Sequence, residues 1–135
     1  MLVDTNVVIY LLEGTAFFGK AMEKLFGLIE AGEMKGYLSV ITITELLVKP
    51  IRDKNLELRG KIDLFLDYFP NLEVLDVTRE IAARAAEVRA ATNLRVPDAI
   101  LIATAAVHGC AMVGNDLACA KKDLGIPYIY LGGYL

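Results

Sequence analysis

Short apolar runs alternate along the chain with longer segments in which apolar residues recur at helical spacing. The short runs have the length and composition of buried strands. The predicted strands are 1–4, 36–40, 72–77, 110–114 and 127–131. The predicted helices are 6–14, 20–32, 42–54, 57–69, 78–93, 97–109 and 116–125. Strands that are separated by helices predict an α/β fold, in which a parallel sheet is covered on both faces.

Local signals mark several helix boundaries. Gly14 ends the first predicted helix, and Thr78 is a candidate N-cap at the start of a later one. Pro97 stands where proline is favoured, at the first residue of a helix. The helix over 42–54 is predicted to bend or to end near Pro50, because proline removes a backbone donor.

Composition predicts a single packed domain over residues 1–135, since 56% of the residues are hydrophobic and no repeat or linker interrupts them. The longest weakly polar stretch, 99–114, is shorter than the roughly 20 residues that a membrane-spanning helix needs. The N-terminus lacks the basic region of a signal peptide. Cys110 and Cys119 match no metal or redox spacing, so we expect a cytoplasmic protein.

Charge and histidine content narrow the possible chemistry. The net charge of −3 argues, at face value, against a nucleic-acid partner. The single histidine, His108, cannot support a histidine-based metal site and is interpreted as a helix cap or a surface residue. A metal site would therefore depend on acidic side chains.

Four acidic residues stand among apolar neighbours at positions that α/β folds use for binding. Asp4 ends the first predicted strand, and Asp116 follows the strand over 110–114. Glu45 and Asp98 lie in the first turns of predicted helices, and an apolar run follows each of them. Sites in such folds form beyond the carboxyl ends of the strands, so these four acids are candidate site residues.

Each acid also has an ordinary structural explanation. Glu45 completes the capping-box pattern that begins at Thr42. Asp98 suits the positive end of a helix dipole, and Asp116 is a candidate N-cap. Asp4 is a candidate cap for the helix that follows it, although a cap does not require so apolar a strand before it. Taken singly, each residue leaves both interpretations open.

Taken together, the four carboxylates favour a shared cation site. Clustered carboxylates repel one another unless a cation neutralises them. Mg²⁺ and Mn²⁺ prefer oxygen ligands, whereas zinc prefers histidine and cysteine groups of a kind that this chain lacks. One or two such ions in an all-acid pocket suit phosphodiester hydrolysis, in which one metal activates the attacking water and another stabilises the leaving oxygen.

Four short motifs resemble those of the PIN-domain ribonucleases, in particular the VapC-type toxins of type II toxin–antitoxin pairs. They are LVDTN (2–6), TELLVKP (44–50), VPDAILIATA (96–105) and VGND (113–116), in the order and at the spacing of the family. The resemblance runs across nearly the whole chain. It implies a three-layer α/β/α fold with a central parallel five-stranded sheet, and Mg²⁺- or Mn²⁺-dependent endonucleolytic cleavage of RNA.

The resemblance also implies roles for single residues and partners. By the family pattern, the catalytic and metal-binding residues are Asp4, Glu45, Asp98 and Asp116. Asn6 would support Asp4 without binding the metal itself. Thr5 would hold the backbone of Asp4 or a water beside it. A homodimer is implied, silenced by a small antitoxin whose tail fills the active-site groove. One departure is Gly114, because the family often carries Thr or Ser there, and an orienting hydroxyl is missing from that motif.

Assigning these acids to metal changes the interpretation of the charge. Thirteen acidic residues then remain against fourteen basic ones, which gives a net charge of +1. A modest positive surface is then available for RNA phosphates. The candidate RNA-binding residues are Lys49, Arg52, Lys54 and Arg84. The alternative is that these residues form ordinary solvated helix faces.

Three other functions stay open at this point. A PIN-domain RNA-processing nuclease without an antitoxin would carry the same motifs. A haloacid-dehalogenase-type phosphatase also places an Asp after an apolar strand, but its Asp-x-Asp pattern needs an acid where this chain has Asn6. A non-catalytic PIN-like interaction module is disfavoured, because all four ligand positions are acidic.

Overall fold

The architecture follows from a computed structural model, which describes residues 1–14 and 19–134. The strands are β1 (Leu2–Val3), β2 (Gly36–Ser39), β3 (Leu72–Leu75), β4 (Met112–Gly114) and β5 (Tyr128–Tyr130). The helices are α1 (Thr5–Glu13), α2 (Gly19–Glu30), α3 (Val40–Arg52), α4 (Leu56–Tyr68), α5 (Arg79–Thr92), α6 (Val96–Val107) and α7 (Leu117–Ala120). Each predicted strand and helix overlaps an observed one, so the predicted α/β class is confirmed.

All five strands are parallel, and their order in the sheet is β3-β2-β1-β4-β5. Leu2 of the central strand pairs with Tyr37 on one side and with Met112 on the other. The chain thus moves from β1 to one edge of the sheet and returns on the other side of β1 with β4. Such a reversal opens a crevice beyond the carboxyl ends of β1 and β4, where α/β folds bind ligands.

Successive side chains of the strands face two different cores, so the sheet is the middle of three layers. Val3 and Val113 pack against residues of α1, α2, α3 and α4. Leu2 and Met112 face the opposite way and pack against residues of α6, among them Ile102. Helix α5 packs on α6 in the same layer. The three-layer α/β/α architecture with a parallel five-stranded sheet is therefore confirmed.

Several helix boundaries agree with the sequence signals. Gly14 ends α1 in the left-handed conformation, with φ of 68°. Thr78 caps α5 by accepting a hydrogen bond from the backbone N–H of Ile81 at 3.2 Å. His108 is the C-cap residue of α6. Among the described residues, no helix has both the length and the apolar character that crossing a bilayer requires.

Helix α3 ends at Arg52, two residues after the buried Pro50, in agreement with a predicted end near the proline. One helix prediction differs from the structure. The helix predicted over 116–125 is a short segment, Leu117–Ala120. The chain turns after it, because the Asp123 carboxylate accepts a hydrogen bond from the Gly125 N–H and Gly125 adopts φ of 71°. This turn leads directly into β5.

Candidate active site

Asp4 occupies the point where the central strand ends and α1 begins. Its backbone carbonyl accepts hydrogen bonds from the N–H groups of Val7 and Val8, but its side chain makes no capping hydrogen bond. The residue is nevertheless buried, with only 7% of its surface exposed. Capping therefore does not account for this carboxylate, which favours the ligand interpretation.

Electrostatics connect Asp4 to the other three acids. The pKa of the Asp4 carboxyl is raised from 3.8 to about 6. Burial is the largest cause, and the charges of Asp98, Glu45 and Asp116 contribute in the same direction, whereas the backbone N–H of Thr5 opposes them. A buried carboxyl among like charges is disfavoured in its ionised form. The negative charges of the three other acids are thus close enough to Asp4 to disfavour its ionised form.

A chain of hydrogen bonds orients Glu45. Thr5 Oγ1 donates to Glu45 Oε1 at 2.8 Å and lies 2.9 Å from Thr42 Oγ1. Because the single hydroxyl proton of Thr5 goes to Glu45, Thr42 must donate to Thr5. Both threonines are buried. The capping-box explanation of Glu45 is wrong, since α3 begins at Val40 and its N-cap is Ser39.

Asp116 is held in place at the start of α7. Its Oδ1 accepts hydrogen bonds from the backbone N–H groups of Ala118 at 2.8 Å and Cys119 at 3.3 Å, which confirms the N-cap explanation. A carboxylate has about four lone-pair sites, so a cap of this kind can also bind a cation. Burial and, second to it, the nearby Asp116 raise the pKa of the Cys119 thiol to about 12. The thiol therefore stays protonated.

Asp98 lies in the first turn of α6. Among the described residues, it is the one of the four acids that forms an ion pair with a basic side chain. Arg95 Nε donates to Asp98 Oδ2 at 3.2 Å. The hydrogen bond and the charge of Asp98 raise the pKa of Arg95, and Glu45 and Asp116 act in the same direction. The guanidinium is 77% exposed, so the pair contributes little to folding stability. It places a positive charge at the rim of the acids.

The acids fit a metal ion by their chemistry. Within residues 1–14 and 19–134, no three acidic, histidine or cysteine side chains lie close enough together to coordinate one ion as they stand. Repulsion among carboxylates favours such separation, and a divalent cation would offset it. The four acids offer only oxygen donors, which suit Mg²⁺ or Mn²⁺ and not zinc. The ligand set itself stays a prediction.

The remaining predicted site residues are spread more widely. Asn6 is exposed on α1 and makes no side-chain hydrogen bond within the described residues, so its support of Asp4 stays a prediction. Lys49 Nζ donates to a glutamate of α1 at 3.1 Å. Arg52 and Lys54 are exposed at the end of α3. Arg84 lies on α5, in the opposite helical layer, and pairs with a glutamate of its own helix.

The structure brings further residues to the acids that sequence reasoning did not assign to the site. The sequence predicts Thr42 only as a helix cap, yet its hydroxyl donates to Thr5, which in turn donates to Glu45. Tyr128 Oη accepts a hydrogen bond from the backbone N–H of Asp116 at 3.1 Å. No local pattern marks Tyr128, because it reaches Asp116 only through the pairing of β5 with β4.

The sequence of this chain also matches a known protein family. Residues 1–123 match the family model of the PIN domain. The chain belongs to the PIN domain family. This is a family of nucleases, and the resemblance carried by the four sequence motifs is confirmed. A comparison with curated proteins found no match.

Several solved structures are similar to this PIN domain. A chain of a toxin–antitoxin complex from Klebsiella pneumoniae shares 27% sequence identity, with a TM-score of 0.68 and 96% of each chain covered. A chain of VapBC2 from Rickettsia felis, bound to a DNA fragment from their promoter, shares 18% identity with a TM-score of 0.76 and the same coverage. FitAcB from Neisseria gonorrhoeae shares 22% identity with a TM-score of 0.73 and 97% coverage of each chain. The last two similarities establish the fold alone.

We predict that Thr42→Val lowers the activity of this PIN domain without unfolding it. The substitution keeps the shape of a fully buried side chain but removes the proton that Thr42 donates to Thr5. Loss of such a supporting hydrogen bond typically costs about 10- to 100-fold in activity at a metal site. The loss of stability should stay near 1 kcal/mol. Nuclease assays and thermal melting measure the two effects.

Two control variants separate this role from general damage to α3. Thr42→Ser keeps the hydroxyl and should keep most of the activity. Thr44→Val removes an exposed hydroxyl from the same helix and should change neither measurement. Full activity of Thr42→Val would contradict the hydrogen-bond chain as a determinant of Glu45 orientation.

Proposed function

We propose that this PIN domain is a metal-dependent endoribonuclease that hydrolyses RNA phosphodiester bonds. Asp4, Glu45, Asp98 and Asp116 would hold one or two Mg²⁺ or Mn²⁺ ions. The observation that carries the proposal is the buried Asp4 carboxylate at the end of the central strand, whose pKa is raised by burial and by the charges of the other three acids. Bound metal would activate the attacking water and stabilise the leaving oxygen.

Hydrogen bonds within the chain orient two of the proposed metal ligands before metal binds. Thr42 and Thr5 fix one oxygen of Glu45, and the first turn of α7 fixes one oxygen of Asp116. Ligands that are already oriented lose less conformational freedom when they bind. Arg95 offers a guanidinium at the rim, where it suits a phosphate of the RNA.

We propose that basic residues near α3 guide the RNA backbone to the acids. Lys49, Arg52 and Lys54 lie on or just after the helix that carries Glu45. The ion pair of Lys49 with Glu13 is exposed, so a phosphate can replace its carboxylate at small cost. Arg84 lies in the other helical layer and would contact only a longer RNA.

We further propose that this chain is the toxin of a toxin–antitoxin pair, with a small antitoxin as its partner. The structural similarity to a chain of the toxin–antitoxin complex from Klebsiella pneumoniae supports this. A groove of about 230 Å³ lies beside Glu45 and offers a place for an antitoxin segment. Its apolar lining comes from Ile9, Leu12, Leu46, Leu58 and Ile62, and its charged residues are Glu13, Glu45 and Lys49.

A homodimer and a cytoplasmic location complete the proposal. Helix α3 exposes Val40, Val48 and Ile51, which are 37%, 44% and 54% accessible, on a surface that a second copy could cover. Sedimentation equilibrium measures whether it does. The two cysteines are free, which suits a reducing compartment where RNA is also present.

The decisive experiment is cleavage of total RNA by the purified protein, with mapping of the new ends. We expect internal cuts in the presence of Mg²⁺ or Mn²⁺. Release of phosphate from a small phosphomonoester without RNA cleavage would favour the phosphatase alternative. RNA cleavage that an upstream-encoded small protein does not inhibit would favour a processing nuclease over a toxin.

A further inference from the structure

The hydroxyl of Tyr128 fills the space that Gly114 leaves open at the acids. A Cβ added to Gly114 would overlap Tyr128 Oη and would lie 3.0 Å from both Tyr128 Cζ and Asp4 Oδ2. Tyr128 pairs with Met112 in the sheet, so its side chain extends along β4 to reach Gly114. Any side chain at position 114 would compete with the phenol for this place.

The phenol links β5 to the segment that carries Asp116. Its Oη accepts the Asp116 backbone N–H at 3.1 Å, immediately after β4. A phenol is neutral at neutral pH, so the group adds no negative charge between Asp4 and Asp116. It fixes the backbone without increasing the repulsion.

We propose that Tyr128 is a positioning residue of the acidic site and that Gly114 is needed to admit it. The phenol holds the Asp116 backbone so that the carboxylates of Asp4 and Asp116 stand together for a divalent cation. A hydroxyl that the sequence lacks at position 114 thus comes from β5 instead. This inference rests on the proposed metal-dependent function.

The test compares Tyr128→Phe with Tyr130→Phe in the full chain. Phenylalanine keeps the ring in place and removes only the hydroxyl. Tyr130 lies on the same strand, and its hydroxyl is beside Gly132. Removing a group that supports a metal ligand typically costs about 10- to 100-fold in affinity. We expect calorimetric Mn²⁺ titration to show about tenfold weaker binding for Tyr128→Phe only, with its melting temperature lowered by no more than about 4 °C.

A double-mutant comparison tests the role of Gly114. Gly114→Ala is introduced into the wild type and into Tyr128→Leu, which removes the ring. We expect the alanine to weaken Mn²⁺ binding more when Tyr128 is present, because the added Cβ then displaces the hydroxyl. An equal loss in both backgrounds would show that Gly114 does not serve to admit Tyr128.

The outcomes separate this inference from the proposed function. Wild-type Mn²⁺ affinity in Tyr128→Phe overturns the positioning role, even if the wild type cleaves RNA. A wild type that binds Mn²⁺ but cleaves no RNA overturns the proposed function and leaves the affinity comparison valid. A wild type that binds no Mn²⁺ overturns both.

Discussion

Replacing Asp4 by Asn is expected to abolish RNA cleavage and, without divalent metal, to make the protein more stable. Asparagine keeps the size of the side chain and removes its charge. The loss of activity follows if Asp4 is a metal ligand, since a neutral amide is a weaker ligand for Mg²⁺ or Mn²⁺. The gain in stability follows from the raised pKa of the buried carboxyl, about 6 against 3.8.

The sign of the stability effect depends on pH. The folded state holds the Asp4 proton up to about pH 6, whereas the unfolded chain releases it near pH 3.8. The free energy of unfolding therefore falls as the pH rises through this window and stays low above it. At neutral pH the penalty is about 3 kcal/mol. Asp4→Asn should remove it and raise the melting temperature by roughly 10 °C in EDTA.

Thermal melts in EDTA at pH 4 and pH 7.5 measure this effect, alongside cleavage in Mn²⁺. The two proteins should melt at similar temperatures at pH 4 and diverge at pH 7.5. Asp63→Asn is the matched control, because it removes an exposed carboxylate of α4 and should change neither stability nor activity. An Asp4→Asn variant that cleaves RNA normally would show that Asp4 is not needed for catalysis.

The strand ends that carry the acids were largely predictable, because they depend on local pattern. An apolar run followed by helical periodicity marks the end of β1 at Asp4, and the same holds for β4 before Asp116. The local sequence pattern does not show that β1 and β4 lie next to each other in the sheet. Pattern alone does not reveal that β4 returns beside β1, which is a property of the strand order.

Contacts between distant elements account for what sequence reasoning missed. Ser39 and Thr42 are both plausible N-caps by residue type, and only the path of β2 into α3 decides for Ser39. Thr42 is then free to bond with Thr5, 37 residues away. Tyr128 likewise contacts Asp116 only because β5 pairs with β4.

Divalent metal is expected to stabilise the wild type and to restore the activity that chelation removes. A ligand that binds only the folded state at about 100 times its dissociation constant adds about 2.7 kcal/mol. For a chain of this length we expect roughly a 10 °C rise in melting temperature at pH 7.5 with Mn²⁺. Asp4→Asn and Asp98→Asn should show a much smaller rise.

The dependence on pH and on salt identifies the cause of this stabilisation. At pH 5 the Asp4 carboxyl is largely protonated, given its pKa of about 6, so metal must displace a proton and the rise should shrink. NaCl at equal ionic strength screens exposed charges but acts weakly on a buried carboxylate. If NaCl raised the melting temperature as much as Mn²⁺, general screening would explain the effect. A stabilisation that is specific to the divalent ion, lost at pH 5 and lost with Asp4 would instead locate the cation among the four carboxylates.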